Sequence, residues 1–359
     1  MIPFGLSPQQ HFMLGVTSTS PLCQLPEISN DLKFAIEKVA TLGKGIDAWR
    51  KSQWKLLSSA FKKAWKFRAS LAEQLSDSAK RVSSHLDPAT IEILRLSIDW
   101  PDVGVAKAIV EGSAIIGDLD ETHIFRKKVV ESSLSIKELD STNEEWIQQI
   151  LASKPGKPDA IQVIWDKSKE EIKLNILEGW FSKASLDKKF GKGKWRPMRR
   201  FALYQEAHGS WRCIDNALTS SHNLATDASE RIHTTSPEMG FAIAKHFREL
   251  LKEPLAGPLG IRISTRDMKR AYRQLSPVAE HLRHSIIAVW DPEALMWRFG
   301  IMHGLCFGLL SAVLQFNRHP ALVVAIARRW LAIPAIHFFD DFKVGELAIS
   351  EASGANWFD

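Results

Sequence analysis

Two aspartates stand side by side in the stretch His337-Phe338-Phe339-Asp340-Asp341-Phe342, with apolar residues around them, and no other feature of the sequence constrains the fold as much. Adjacent carboxylates are costly when buried without partners, so the chain must bring them to a turn or supply a cation. The flanking segments, Ala335 to Phe339 and Phe342 to Leu347, predict two short strands around an acidic turn. By itself the pair fits a surface turn as well as a metal site. Phe339 and Phe342 favour an interior on at least one side.

A third carboxylate lies upstream, in Ile261-Arg262-Ile263-Ser264-Thr265-Arg266-Asp267-Met268-Lys269-Arg270-Ala271-Tyr272. Here a strand predicted over Gly260 to Thr265 runs through Asp267 into a short helix predicted over Met268 to Leu275. Asp267 has two readings. It caps that helix, the commoner role, or it joins the Asp-Asp turn on a neighbouring strand in an all-oxygen site. Such a site suits Mg²⁺, which also takes substrate phosphates as ligands, and two ions can activate a sugar hydroxyl and stabilise a leaving pyrophosphate.

The rest of the chain reads as a helical first half and a mixed second half. Residues 1 to about 27 lack steady periodicity and predict an irregular lead-in. From Asp31 to about Ser84 helices are expected, with Trp54, Leu57, Phe61, Trp65, Ala72 and Leu75 as one apolar stripe. Arg50, Lys51, Lys55, Lys62, Lys63, Lys66 and Arg68 surround the stripe. They read either as a solvated face or as a surface for nucleic acid or membrane. Asp87-Pro88 opens another helix, Val103 to Val110 a further one stopping near Gly112, and Ser141 to Ile150 a third. Ser153 to Asp159 is a proline- and glycine-containing break. Strands follow at Phe201 to Tyr204, Trp211 to Ile214, Ser285 to Trp290 and Leu295 to Met302. Helices follow from Ser236-Pro237 to Leu251 and over Leu309 to Leu331. An α+β fold is expected, divided into 1–90 (helical, of unknown role), 91–185 (mostly helical) and 186–359 (mixed).

The 359 residues suffice for two cores, and 45% hydrophobic with 25% charged residues is ordinary for a globular chain. A formal charge of +6 would help attract a phosphate backbone but decides little alone. Cys23, Cys213 and Cys306 are few and scattered, which argues against a disulfide framework. His303 and Cys306 lack a second pair to complete a zinc site. No secretory leader is read at the N-terminus, and the apolar run from Ala321 to Phe339 is broken by Arg328, Arg329, Pro334 and His337. An intracellular protein of cytoplasm or nucleus, neither secreted nor in a membrane, is expected.

Three segments together resemble the palm motifs of reverse transcriptases, in the same order and with similar spacing. Asp267 to Leu275 is similar to the first, an aspartate followed five residues later by an aromatic and then an aliphatic residue. Leu305-Cys306-Phe307-Gly308-Leu309-Leu310-Ser311 through Phe316-Asn317-Arg318 resembles the second, a Phe-Gly turn entering a helix. Phe338-Phe339-Asp340-Asp341 resembles the third. Upstream, Ser210-Trp211-Arg212-Cys213-Ile214-Asp215-Asn216, with Asn223 beyond it, resembles the fingers motif of retroelement polymerases. It follows a basic run that includes Arg196, Arg199 and Arg200.

The resemblance implies a right-hand fingers and palm with an antiparallel palm sheet, and RNA-directed DNA polymerase activity by a two-metal mechanism. Asp267, Asp340 and Asp341 would be the catalytic residues holding two Mg²⁺ or Mn²⁺ ions, with Asp267 and Asp340 as the main ligands, expected within about 4–5 Å of each other, and Asp341 supporting the site. Arg212, with Arg199 or Arg200, would contact the incoming triphosphate, and Asp215 and Asn216 would orient the fingers loop. Tyr272 would lie under the incoming sugar and favour deoxynucleotides; its other reading is a core tyrosine. Phe307, Gly308 and Ser311 would line the nascent base pair and template. The partners implied are an RNA or DNA template with primer and deoxynucleoside triphosphates. The sequence ends soon after Asp341, so a thumb and ribonuclease H region are expected to be missing or supplied by a second subunit. Besides an unrelated metal-dependent hydrolase, which would need Asp267 and the Asp340-Asp341 pair together but would not predict the Phe307-Gly308 motif between them, two alternatives stay open. One is a truncated, inactive retroelement remnant that binds nucleic acid. The other is an RNA-directed RNA polymerase, against which Tyr272 and Phe339 weigh, because those enzymes carry an acidic residue and a glycine there.

Overall fold

The computed structural model describes residues 7–18 and 25–359, with the side chains of residues 11 and 63–67 left aside; Cys23 and the side chains of Lys63, Trp65 and Lys66 lie outside what is described. Among the described residues eleven strands occur: β1 (Gly117–Asp118), β2 (Arg126–Val130), β3 (Leu177–Phe181), β4 (Pro197–Gln205), β5 (Ser210–Asp215), β6 (Thr226–Arg231), β7 (Ile261–Asp267), β8 (Ile286–Asp291), β9 (Met296–Met302), β10 (Ala335–Phe338) and β11 (Asp341–Leu347). They form three sheets, ordered β1-β6-β2, β10-β11-β7 and β3-β9-β8-β4-β5. By contacts the chain falls into two units. One comprises residues 1–55, 234–267 and 324–359, the other 56–233 and 268–323. Neither coincides with the consecutive segments 1–90, 91–185 and 186–359 expected from sequence, because distant stretches share one core.

The first unit is built on the β10-β11-β7 sheet, antiparallel throughout. Ile36, Val39 and Ile46 from the N-terminal helices pack with Ile243 and Phe247 of helix Met239–Leu251 and with Ile336 and Leu347 of the sheet. This core encloses Arg50, which is fully buried. It donates to the carbonyls of Leu331 and Ala332 and pairs with Glu346 at 2.6 Å. Arg50 is therefore an internal cross-link and not part of a solvated basic face.

The second unit carries the five-stranded mixed sheet, in which β4 runs parallel to β8 and the other pairs are antiparallel. Its larger core gathers Trp165, Ile176, Met198, Ile287, Val289, Leu305 and Phe316. A second core lies around Trp195, Trp297 and Phe299.

Most predicted elements are present. Asp87 and Pro88 begin helix Pro88–Ser97, helix Val105–Glu111 ends at Gly112 with φ 98°, and Leu310–Leu331 is one long helix despite Pro320. Two expectations fail. The lead-in contains helix Pro8–Thr17, closed by a reciprocal Ser7–Gln10 capping box. The helix expected over Met268 to Leu275 shrinks to a single 3-10 turn, Ala271–Gln274, because Arg270 and Ala271 take positive φ and break it. Among the described residues no helix is long and apolar enough to cross a membrane.

Candidate functional site

In the first unit, β10 and β11 form a hairpin whose last pair is Phe338 with Asp341, leaving Phe339 and Asp340 as a two-residue turn. Phe339 has φ 54°, the left-handed conformation that tight hairpin turns require, here forced on a bulky residue. His337 donates from Nδ1 to the Phe339 carbonyl at 3.3 Å, which helps hold that turn. Burial pushes the His337 pKa down to about 4, so its ring is neutral at pH 7.

The register from β11 to β7 pairs Asp341 with Asp267, Lys343 with Thr265 and Gly345 with Ile263. Paired residues point to the same face of a sheet, and their Cα atoms are roughly 4.5–5.5 Å apart. Asp267 and Asp341 are therefore opposed like charges on one face, an arrangement unfavourable without a cation. Both are exposed, and neither makes an ion pair among the described residues. Asp340 is half-buried in the adjoining turn. Since Asp267 ends a strand and no helix starts beside it, its reading as a helix cap does not hold. The opposite face of β11 carries buried Phe342, Val344 and Glu346, with the Phe342 ring packed on Phe358.

The carboxylate-bearing face floors a cleft of about 660 Å³, walled by Phe241 and Ile243 of helix Met239–Leu251 and rimmed by Phe338. Lys343, on the cleft floor two residues beyond Asp341, escaped sequence reasoning; the alternation Asp341, Lys343 against Phe342, Val344 held the signal. Among the described residues no group of three or more His, Cys, Asp or Glu side chains forms a ready-made metal cluster. The donor set still fits Mg²⁺, which commonly takes one or two carboxylates and completes its shell with water and substrate phosphate.

The residues expected to contact substrate lie in the second unit, where their placement is uneven. Arg200 is buried. It donates to Asp215 at 2.7 Å and Glu171 at 2.5 Å, while Arg273 donates to the other oxygens of the same carboxylates at 2.9 Å each. Two cations and two anions thus close a neutral ring joining helix Pro158–Lys173, β4, β5 and the turn at Arg273. Burial opposes the charge on Asp215, but the guanidiniums of Arg200 and Arg273 prevail and hold its pKa at about 2. Arg200 is thus spent on the interior in place of the triphosphate contact that the fingers motif implies. Arg273 and Glu171, half of this ring, carried no sequence signal. Arg199 points to the other side of β4, donating to the Lys154 carbonyl at 2.8 Å and lying over the Trp297 ring. Asn216 accepts from the Thr219 amide in a local turn. Of the three arginines only Arg212 is exposed, with its guanidinium 4.4 Å from the centre of the Phe307 ring.

Tyr272, half-buried, packs against Phe307 and Phe316 at centroid distances of 5.7 and 4.7 Å. Gly308 has φ 128°, and a Cβ there would meet the Asp215 carbonyl oxygen at 2.1 Å. Asn223 bridges the Gly308 carbonyl and the Leu310 amide and so fixes the start of the long helix. Ser311 is fully buried, donating to the Ile115 carbonyl, and faces no open surface. Cys306 is likewise buried, its thiol pushed up to about 12 by burial. His303 is held between Ser78 at 2.8 Å and Glu178 at 2.9 Å.

No protein-family model matches the chain, and comparison with curated proteins finds no match.

Proposed function

We propose that the chain is the fingers-and-palm part of an RNA-directed DNA polymerase that adds deoxynucleotides to a primer 3′-hydroxyl on an RNA or DNA template. The observation that carries the reading is the register pairing of Asp267 with Asp341 on one sheet face, beside the strained turn that holds Asp340. Two segments that are far apart in sequence, each picked out by its likeness to a palm motif, are brought into direct pairing.

In this reading Asp267, Asp340 and Asp341 hold Mg²⁺ or Mn²⁺. When bound, the ions supply Lewis-acid activation of the primer hydroxyl and charge neutralisation at the leaving pyrophosphate. The remaining work falls to the chain's own side chains. The Phe339 turn, fixed by His337, presents the carboxylates in one orientation, which limits reorganisation during the reaction. Tyr272, held by Phe307 and Phe316, offers a rigid aromatic surface for a sugar and discriminates against a 2′-hydroxyl. Arg212 is the arginine proposed for the triphosphate, since Arg200 is committed to Asp215 and Glu171. Base pairing supplies sequence specificity, and the protein holds backbone and shape.

Primer extension on poly-rA with labelled dTTP and Mg²⁺ or Mn²⁺ tests the proposal. The expected result is extension by the wild type and none by Asp340→Asn. Incorporation of UTP in preference to dTTP would favour the RNA polymerase alternative. Salt-sensitive duplex binding with no extension by either form would favour the binding-only alternative.

A further inference from the structure

Away from the paired aspartates, in the second unit, a buried carboxylate stands without its full set of partners. Glu230 on β6 is 4% exposed. Its Oε2 accepts from the Thr122 amide and hydroxyl, both at 2.7 Å, but its Oε1 has no hydrogen-bond partner among the described residues. A buried carboxylate oxygen left in this state is expensive, more so than a neutral group in the same place. Glu230 lines a small cavity of about 10 Å³ together with Asp120, Thr122, Ser229 and Gln315. That is room for one water-sized occupant.

The nearby cations are engaged elsewhere. Lys127 stands opposite Glu230 in the β2–β6 register, yet its ammonium lies 3.0 Å from Glu121. Arg318 donates to the Gln315 side chain and has its charge met by Asp102, two bonds of 2.7 Å each. His123 also turns to Glu121. Asp227 accepts from the Ser132 amide. Asp120 and Glu230 make no ion pair among the described residues, so two carboxylates flank the cavity with no cation of the protein for either. A water could occupy the space and satisfy Oε1, but it would leave the doubled negative charge in place.

We propose that Asp120 and Glu230 bind a single Ca²⁺ ion at this cavity, with other oxygens of the lining, such as those of Thr122, Ser229 and Gln315, completing an all-oxygen shell. Ca²⁺ accepts irregular oxygen coordination and gives up its water readily, whereas Mg²⁺ demands near-octahedral geometry and retains several waters that 10 Å³ cannot hold. The bound ion ties β6 to the Leu119–Thr122 segment, a structural role independent of the polymerase reading.

The test is calorimetric titration of the purified, EDTA-treated full chain with CaCl₂, paired with thermal melting. Wild type is expected to show one binding event that survives millimolar Mg²⁺, and a melting temperature raised by roughly 5 °C at a hundredfold excess over Kd. Asp120→Asn, an exposed position where folding is not at stake, and Glu230→Gln are each expected to weaken binding at least about tenfold. Glu131→Gln, an exposed neighbour, is expected to keep it. No heat and no melting shift in wild type, or an unchanged response in both Asp120→Asn and Glu230→Gln, overturns the proposal.

Discussion

Gly308 shows how much a single position can decide. Its φ of 128° is strained for any side chain, and the space a Cβ would take is already filled by the Asp215 carbonyl oxygen at 2.1 Å. Gly308→Ala is therefore expected to destabilise the chain by about 2–4 kcal/mol, from backbone strain plus overpacking. A urea denaturation midpoint measured beside wild type checks this; an unchanged midpoint would mean that the two segments are not in contact. The Phe-Gly pair stands out in sequence, but the reason for the glycine did not: the close approach is to a strand about ninety residues upstream, which no local pattern reports. The same limit applies to Arg200. A basic run reads as solvated or phosphate-binding, while burial among Glu171, Asp215 and Arg273 depends on partners from three separate stretches.

Elements were more legible than their pairing. The strands around Asp340 and Asp341, and the strand ending at Asp267, follow from apolar runs punctuated by turns, and each lies within about two residues of its expected place. That β7 pairs with β11, and in which register, is set by packing on both faces: Leu347 joins the first unit's core on the Asp341 face, while Phe342, Val344 and Glu346 are buried on the other. Glu346 is the unusual member of that set. Arg50→Met would leave its carboxylate buried without the cation 2.6 Å away, at an expected cost of about 3–5 kcal/mol. Adding Glu346→Leu to Arg50→Met is expected to recover part of that loss, with a coupling of about 1–3 kcal/mol in a double-mutant cycle. Simple additivity would show that the pair does not act as a unit.

At the scale of the whole molecule, the chain's two compact units are each assembled from separated stretches of sequence, which explains why a division into consecutive segments could not find them. Buried histidines in both make global stability depend on pH. Burial lowers His222 and His319 to about 3 and His337 to about 4. In the unfolded chain they titrate near 6.5, so below that pH the unfolded state binds protons that the folded state refuses. Stability is expected to be full above about pH 7 and to fall as pH drops from 6.5 toward 4, by up to about 2 kcal/mol per histidine between pH 7 and 5. Denaturant melts across that range measure it, and a flat profile would contradict the neutral, buried state of these rings.

The opposed carboxylates of Asp267 and Asp341 are tested most directly by Mn²⁺ binding, followed through the EPR signal of the free ion in the Glu230→Gln background. A bound Mn²⁺ whose affinity falls at least about tenfold in Asp267→Asn and again in Asp341→Asn is the expected result. Equal Mn²⁺ binding by the parent and both variants would mean that the register pairing creates no metal site, and the polymerase proposal would lose its foundation.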